Sequence, residues 1–327
     1  MSILAKVVRK ILQKIEAKRF ARQDQAVAKI APVDTILRVV DGFESGKKQK
    51  SRLCLMAHFD VDGRIAPYVQ NYVVELKRQG FDVIIISTSP KFDERDLGFV
   101  QKELRYFIHR KNVGLDFGSW KATLDWLPDA LQYDELLLNN DSVFGPLFPL
   151  SEVFDRFSAM SAPICGMTDT WETYYHLQSY FLLFKKPAFH SQTFKSFWSK
   201  VQLSIDKNKI IDNYEVGLSR HFIADEFQLG AYVPFHELRE HCLNMGPANF
   251  QYFDLFSRQP GNPTIFMWDI LISDFRFPFL KTEILKINRK ESRGAVYWRN
   301  LLVKVSAEQH IADIASFLKR TQWNCRG

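Results

Sequence analysis

The distribution of apolar and polar residues from position 52 onward predicts short buried strands that alternate with helices. A short apolar run predicts a buried strand, and a longer stretch with apolar residues at helical spacing predicts a helix. The predicted strands are residues 53–57, 83–87, 106–109 and 135–138, and the predicted helices are residues 65–79 and 117–127. This alternation is typical of an α/β domain with a mostly parallel central sheet.

The second half of the chain has a less regular pattern. It predicts strands at residues 164–168 and 178–184, helices at residues 188–201 and 214–227, and a mostly helical part from about residue 263. Before the first strand of the body, residues 31–51 lead into the polar stretch ESGKKQKSR and are interpreted as a connector.

The first 22 residues carry an excess of positive charge. Seven lysines and arginines accompany Glu16 alone, in a chain whose formal net charge is +7. Apolar residues fall at helical spacing between them: Ile3, Leu4, Val7, Val8, Ile11, Leu12 and Ile15. A basic amphipathic helix of this kind is typical of a segment that lies on an anionic membrane surface. Packing on the body or on a second subunit is the alternative. Nucleic acid is disfavoured, because the rest of the chain is close to charge balance.

The cysteines are far apart in the sequence, at Cys54, Cys165, Cys242 and Cys325. No pair has the spacing of metal ligands, and this usage is typical of buried thiols in a reducing compartment. The sequence contains no signal-peptide pattern and no apolar stretch of membrane-spanning length. We therefore expect a cytoplasmic protein.

Polar residues directly follow the predicted strands. They are Asp60, Asp62, Ser87, Arg110, Asn112 and Asp141. Because ligands of parallel sheets bind beyond the carboxyl ends of the strands, we expect these side chains to converge on one crevice.

The stretch FDVDG at residues 59–63 raises a specific alternative. It resembles the first motif of haloacid dehalogenase-type phosphatases, in which a strand delivers a nucleophilic Asp and a second Asp follows two residues later. Arg64 comes next, where that class has Thr or Val, and no clear Gly-Asp-x-x-x-Asp motif follows late in the sheet. So short a match is weak evidence, and the phosphatase is the less favoured interpretation.

Several longer motifs occur together in one order. They are HFDVDGR from His58, RKNVGLDFGSWK from Arg110, YDELLLNNDSVFGP from Tyr133 and HLQSYFLLF from His176. With YEVGLSRHF and NPTIFMWDILI further on, they resemble the rhamnan synthesis protein F family of bacterial glycosyltransferases over about residues 52–289. The resemblance implies a GT-A-like nucleotide-sugar-binding α/β fold with a mostly parallel central sheet. The amphipathic helix expected before it and the C-terminal helices expected after it lie outside the resemblance and rest on the sequence pattern alone. We therefore divide the chain into residues 1–50 (basic helix and connector), 51–290 (GT-A-like domain) and 291–327 (helical extension).

The same resemblance implies a nucleotide-sugar donor and a saccharide acceptor. The donor would be dTDP-L-rhamnose or another sugar nucleotide, and the acceptor a cell-surface polysaccharide or a lipid-linked oligosaccharide. The implied donor-binding residues are His58, Asp60, Asp62, Arg110, Asn112, Gly114, Asp116, Lys121 and Asn140. In GT-A enzymes a divalent metal offsets the charge of the leaving diphosphate. We expect Asp141 to bind this metal ion, Mn²⁺ or Mg²⁺. The alternative is that Asn140, Asp141 and Ser142 form an ordinary turn without a metal.

An inverting transfer also needs a general base near the acceptor hydroxyl. Glu215 is the favoured candidate because its surroundings resemble the helix that carries the base in many inverting GT-A enzymes, and Asp169 is the second. His176 and Gln178 are expected to line a sugar pocket. A non-catalytic sugar-binding relative remains an alternative to an enzyme.

Overall fold

The computed structural model describes residues 3–42, 50–245, 261–286 and 294–321, without the side chains of residues 3–11, 15 and 128. The strands in these ranges are β1 (Ile36–Asp41), β2 (Arg52–His58), β3 (Phe81–Ser87), β4 (Tyr106–Arg110), β5 (Glu135–Asn140), β6 (Val143–Phe144), β7 (Ile164–Thr170), β8 (His176–Leu177), β9 (Phe181–Phe184), β10 (Leu229–Val233) and β11 (Leu280–Lys281). Nine of these strands form one sheet, in the order β1-β4-β3-β2-β5-β9-β7-β10 with β8 paired to β7.

The centre of this sheet is parallel. β2 pairs in parallel with β3 and β5, and β3 pairs in parallel with β4. β9 is antiparallel to both β5 and β7, so β7 and its parallel neighbour β10 run in the same direction as β2. The apolar runs of β2 and β3 are buried, as expected for strands covered on both faces. The predicted class, α/β with a mostly parallel central sheet, is confirmed.

The α-helices cover both faces of the sheet. They are α1 (Ile3–Val27), α2 (Pro67–Arg78), α3 (Leu97–Glu103), α4 (Leu115–Trp126), α5 (Ser151–Ala159), α6 (Lys186–Phe189), α7 (Gln192–Ser199), α8 (Lys207–Ile210), α9 (Gly217–Ala224), α10 (Phe235–Asn244), α11 (Pro263–Phe266), α12 (Trp268–Phe275), α13 (Thr282–Lys286), α14 (Trp298–Lys304) and α15 (Ile311–Arg320). One apolar layer joins α2, α5, α10 and the C-terminal helices to the sheet, and the other joins α4, α7 and α9.

The prediction of a connector over residues 31–51 is wrong for its first part. Pro32–Thr35 forms a 3-10 turn, and β1 follows as an antiparallel edge strand beside β4. The side chains of this edge strand, ILRVVD, are half-buried or exposed. An edge strand of this kind needs no continuous apolar run, and such a run is the feature that identified the central strands. Residues 43–49 lie outside the described residues.

Three further predicted elements are divided in the structure. The predicted strand at 178–184 begins earlier and is interrupted, giving β8 and β9. The predicted helix at 188–201 is divided into α6 and α7, because Ser191 accepts a hydrogen bond from Phe194 N and starts a new helix. The predicted helix at 214–227 begins as a π-helical turn, Ile211–Val216, that continues into α9.

The first helix is attached to the body near its end. Oδ1 of Asp24 accepts hydrogen bonds from Ser204 Oγ (2.6 Å) and Ile205 N (2.9 Å), and Lys209 Nζ lies 2.8 Å from Oδ2. Most of the predicted apolar stripe of α1 consists of residues whose side chains are not described, so its partner stays a prediction. No helix in the described part of the chain is long and apolar enough to cross a membrane.

The cysteine prediction holds where the structure can test it. Cys54, Cys165 and Cys242 are buried free thiols. Cys325 lies outside the described residues.

Candidate active site

A cavity of about 290 Å³ opens at the edge of the sheet where the parallel strands end. It lies between the first turn of α4, the segment after β5, the start of β9, the π-helical turn and β11. Its polar lining includes Asp116, Ser142, Gln178, Ser179, Glu215 and Lys281, and we call it the central cavity.

The loop before α4 is held by a buried arginine. Arg110 donates hydrogen bonds from Nε to Thr35 Oγ1 (2.9 Å), from Nη1 to Ser119 Oγ (3.0 Å) and from Nη2 to Val113 O (2.7 Å). Burial lowers the pKa of Arg110 to about 10. These contacts place its guanidinium inside the protein, where it organises the loop.

Gly114 begins α4 in the left-handed conformation, with φ of +81°. A Cβ atom at this position would lie 2.7 Å from Leu203 Cδ2 and 3.1 Å from the Cα of Gly118. Both the backbone angle and the close packing therefore require glycine. The turn presents Asp116 in the first turn of α4, facing the central cavity.

Asp116 and the end of β5 form a hydrogen-bonded group. Asn140 Nδ2 donates to Asp116 Oδ2 at 2.7 Å, and Asn140 Oδ1 accepts from Ser142 N (3.1 Å) and Ser142 Oγ (2.5 Å). Burial raises the pKa of Asp116 to about 6 despite the hydrogen bond from Asn140. The sequence predicted that both residues belong to the site, and the structure brings them together.

Glu215 enters the same cavity from the π-helical turn. Its Oε1 accepts a hydrogen bond from Ser179 N at 3.1 Å, which fixes the carboxylate beside the start of β9. The neighbouring Gln178 is buried, and its Oε1 accepts from Thr168 Oγ1 at 2.6 Å. A carboxylate and an amide therefore line the same cavity as Asp116.

Lys281 is a cation of this cavity that sequence reasoning missed. Antiparallel pairing of β6 with β11 sets Lys281 opposite Val143, so its Nζ reaches Ser142 Oγ at 3.3 Å. Nζ also lies 3.8 Å from the centre of the Tyr180 ring. Burial lowers the pKa of Lys281 to about 8, although Glu215 and Asp116 attract its charge. The surrounding sequence FPFLKTEIL contains no motif that would have identified it.

A second group of predicted residues lies around the ends of β2 and β5. His58 is buried, with Nδ1 3.0 Å from Ser87 Oγ and Nε2 3.1 Å from Arg64 O. Asp141 Oδ2 accepts from Phe59 N at 3.1 Å and lies 3.9 Å from His58 Nε2. Burial raises the pKa of Asp141, even though the positive charge of a protonated His58 would lower it.

The acidic residues of the FDVDG loop are bound by an arginine from the end of α15. Arg320 Nη1 donates to Asp60 Oδ1 (2.9 Å) and Asp62 Oδ2 (2.6 Å), and Nη2 donates to Asp60 Oδ2. Backbone N–H groups of Asp62 and Arg64 also donate to Asp60 Oδ1. Burial alone would raise the pKa of Asp60, but these donors outweigh it and lower the pKa. Arg320 had no sequence signal.

The remaining predicted residues lie elsewhere. Asn112 is exposed in the loop before α4, and Lys121 is paired with Asp125 on α4. His176 is buried in β8, with Nδ1 2.7 Å from Tyr174 O, and does not line the central cavity.

The two candidate bases are not brought together. Asp169 lines a different cavity of about 430 Å³, with Trp171 and Tyr175, and this cavity shares no lining residue with the central one. Asp169 Oδ1 accepts a hydrogen bond of 2.5 Å from Phe235 N, at the start of α10, which is a helix-capping contact.

The described residues do not fit a metal ion held by side chains alone. No group of three or more His, Cys, Asp or Glu side chains among them is arranged to bind one. Asp141 is the only carboxylate of the NNDS segment, and its Oδ2 is already engaged by Phe59 N.

The curated relatives match this chain over part of their length. "Uncharacterized protein y4gN" of Sinorhizobium fredii (strain NBRC 101917 / NGR234) is 29% identical over 152 residues, which are 45% of this chain and 39% of that protein. "Virulence protein VirA" of Vibrio anguillarum is 28% identical over 196 residues, which are 56% of this chain and 62% of that protein. The chain thus spans less than two thirds of the length of either relative.

Among solved structures, the chain is similar to the glycosyltransferase GlyE of Streptococcus pneumoniae TIGR4. The TM-score is 0.38 at 10% sequence identity, over 83% of this chain and 64% of that chain.

The family comparison covers most of the body described above. The family described as "Rhamnan synthesis protein F" matches residues 83–307, which include α4, the NNDS segment, the π-helical turn and β11. The HFDVDGR motif precedes the matched range. The match extends over more than two thirds of the length of this chain, and the chain therefore belongs to the rhamnan synthesis protein F family.

Proposed function

We propose that this chain is a glycosyltransferase with a GT-A-like site, which moves a sugar from a nucleotide-sugar donor to a hydroxyl group of an acceptor saccharide. The observation that carries the proposal is the central cavity of a family member, where the carboxylates of Asp116 and Glu215 share one space with the ammonium of Lys281. A transfer from a sugar diphosphate needs acceptors for a proton and a cation for the leaving group, and this cavity contains both.

The donor would lie along the carboxyl edge of the sheet. The sugar and diphosphate would occupy the central cavity, and the nucleoside would extend towards the loops after β2 and β3, where His58 and Asp60 lie. We propose dTDP-L-rhamnose or another sugar nucleotide as donor, and a polysaccharide or lipid-linked oligosaccharide as acceptor.

Glu215 is the proposed general base. Its Oε1 is fixed by Ser179 N, so the carboxylate is held in place while it removes the proton of the acceptor hydroxyl. The acceptor oxygen then bonds to the anomeric carbon of the sugar. The bond from that carbon to the diphosphate oxygen breaks, and the electron pair leaves with the nucleoside diphosphate. Asp169 is the less favoured base, because its contact with Phe235 N gives it a capping role.

The phosphatase alternative receives no support from the contacts of its expected nucleophile. A nucleophilic carboxylate needs an oxygen free to attack phosphorus. Both oxygens of Asp60 accept hydrogen bonds from Arg320, and Oδ1 also accepts two backbone N–H groups.

The proposal is tested by screening donors and then measuring transfer. Purified protein is melted with dTDP-L-rhamnose, UDP-glucose, UDP-galactose and GDP-mannose, each with EDTA or with Mn²⁺. The donor that raises the melting temperature is then incubated with lipid-linked and polysaccharide acceptors. We expect nucleoside diphosphate to accumulate only when donor and acceptor are both present.

Two results would overturn the proposal. Donor binding without turnover on any acceptor would favour a non-catalytic sugar-binding protein. Release of phosphate from generic phosphate monoesters, with a phosphorylated Asp60, would favour the phosphatase.

A further inference from the structure

The central cavity contains a lysine that pairs with no carboxylate of the described residues. Among the described residues, no carboxylate oxygen lies within 4.0 Å of Lys281 Nζ. Its contacts are the hydroxyl of Ser142 at 3.3 Å and the face of the Tyr180 ring at 3.8 Å. An ammonium group that is partly removed from water without an ion-pair partner is unfavourable. An anion bound in the cavity would remove that cost.

The position of this ammonium is set by a chain of hydrogen bonds. Lys281 Nζ donates to Ser142 Oγ, Ser142 Oγ donates to Asn140 Oδ1, and Asn140 Nδ2 donates to Asp116. An ammonium group has three N–H donors, and Ser142 accepts only one of them. With the Tyr180 ring as a second contact, at least one N–H remains available to a ligand in the cavity.

Other cations near the carboxyl edge are already engaged. Arg110 is buried against neutral acceptors, Lys121 pairs with Asp125, and Arg320 is bound to Asp60 and Asp62. Lys207 lines the cavity but is exposed to solvent. Lys286 lies over the Phe317 ring, where Asp141 and Asp60 attract its charge, and does not line the cavity. Among these groups, Lys281 is the cation held inside the cavity and still able to bind an anion.

We infer that Lys281 binds the diphosphate of the nucleotide-sugar donor, at the oxygen that leaves the anomeric carbon. The inference rests on the proposed function and names the residue that recognises the leaving group. When the bond from carbon to oxygen breaks, the electron pair remains on the diphosphate. The ammonium of Lys281 donates a hydrogen bond to that oxygen and keeps its proton, while Glu215 takes the proton of the acceptor.

The size of the cavity agrees with this ligand. A volume of about 290 Å³ is at the lower end of small-molecule sites, which agrees with a pocket for the sugar and diphosphate part of the donor. Glu215 lies in the same cavity as Lys281, so the base and the leaving-group cation are positioned on one bound donor.

The test is isothermal titration calorimetry at pH 7 in EDTA, with UDP, GDP and dTDP as probes. Each diphosphate is compared with its matched nucleoside, which lacks the anion. The proteins are wild type, Lys281→Met, Lys281→Arg and the surface control Lys304→Met. We expect Lys281→Met to lose at least about tenfold in affinity for the bound diphosphate, because a charge-assisted hydrogen bond is lost. Nucleoside affinity should be unchanged, Lys281→Arg should retain part of the diphosphate affinity, and Lys304→Met should behave as wild type.

Wild-type binding across pH provides a second measurement that does not depend on a variant. The charged groups facing Lys281 are Asp116, Glu215, Glu283 and Lys207. The pKa of about 8 leaves Lys281 mostly protonated at pH 7, and Asp116, with a pKa of about 6, is already ionised. Diphosphate affinity should therefore fall between pH 7 and pH 8.5, a range in which the nucleobases stay neutral and nucleoside affinity should stay constant.

The outcomes separate this inference from the proposed function. Diphosphate binding by Lys281→Met as tight as by wild type, or a pH-independent wild-type affinity, would overturn the role of Lys281 alone. An equal loss of nucleoside and diphosphate affinity in a folded Lys281→Met would do the same. If wild type binds none of the three diphosphates and transfers no sugar, the proposed function fails and the inference fails with it.

Discussion

Arg320 and Asp60 are 260 residues apart in the sequence and joined by two hydrogen bonds in the structure. The guanidinium also binds Asp62, so the end of α15 is attached to the loop after β2. This contact brings the C-terminal helix, which the sequence placed in a separate extension, to the edge of the sheet that carries the candidate site.

Replacing Arg320 by Met should lower the free energy of unfolding by roughly 2–3 kcal/mol at pH 7, because the buried carboxylate of Asp60 loses its partner. The pKa of folded Asp60 lies below its ordinary value of 3.8, so this stabilisation is complete above about pH 4 and is lost as the pH falls through the folded pKa. Urea unfolding at pH 7 and pH 3.5 measures it. The variant Lys319→Met, at the exposed neighbouring position, is the control. An equal effect at both pH values would contradict the role of the charged pair.

Replacing Asp116 by Asn should stabilise the protein at high pH. Burial raises the pKa of Asp116 from 3.8 to about 6, so its contribution to stability is greatest below pH 4 and declines as the pH rises through 6. The introduced amide would still pair with Asn140 but would carry no buried charge. We expect a melting temperature a few degrees above wild type at pH 8 and no gain at pH 4. A destabilised variant at pH 8 would show that the charge is compensated.

Replacing Glu215 by Gln should lower kcat by about two orders of magnitude and leave donor affinity nearly unchanged, since general-base catalysis commonly contributes that much. The amide oxygen of the variant can still accept the hydrogen bond from Ser179 N, so the fold is preserved. The matched variant Asp169→Asn should leave both kcat and stability nearly unchanged, because its amide oxygen can still accept from Phe235 N at the start of α10. If Asp169→Asn loses the turnover and Glu215→Gln does not, the two residues exchange roles.

If Asp141 holds a metal ion on the donor diphosphate, as the family resemblance implies, replacing it by Asn should abolish transfer without unfolding the protein. The amide oxygen can still accept from Phe59 N, but the negative charge at the end of β5 is removed. Steady-state kinetics with Mn²⁺ and with EDTA, together with a thermal melt, test this. Near-normal turnover at saturating Mn²⁺ would rule out both a catalytic and a metal-binding role for this carboxylate.

Deleting α1 in two steps should separate its two roles. Removal of residues 1–19 should preserve the fold, whereas removal of residues 1–32 should lower the melting temperature, since it deletes the contacts of Asp24 with Ser204 and Lys209. If the basic face of α1 binds membrane, both truncations should lose sedimentation with anionic vesicles at low salt. Full-length protein that ignores such vesicles, or a dimer that dissociates on truncation, would instead identify α1 as a packing helix.

The sequence predicted the elements whose apolar residues have a clear period. β2 and β3 are short, continuous runs of apolar residues that are buried between two layers of helices, so the runs themselves identify the strands. β1 is an edge strand with half its side chains exposed, and an edge strand needs no apolar run, so it was missed. Likewise, the rule that parallel strands end at one edge anticipated that polar residues after β2 and β5 would lie near each other.

The amino-acid sequence by itself determined the α/β class and the family, and it predicted the carboxyl edge of the sheet as the place of the candidate site. The tertiary structure decided which charged groups meet there. Arg110 lies in a motif that predicted donor binding, yet its guanidinium is buried and donates hydrogen bonds to Thr35 and Val113, which hold the loop before α4. Lys281 and Arg320 lie in stretches without a motif, and they reach Ser142 and Asp60 across 139 and 260 residues. A contact over such a distance depends on how β11 and α15 pack against the sheet, and that packing leaves no periodic pattern in the neighbouring residues.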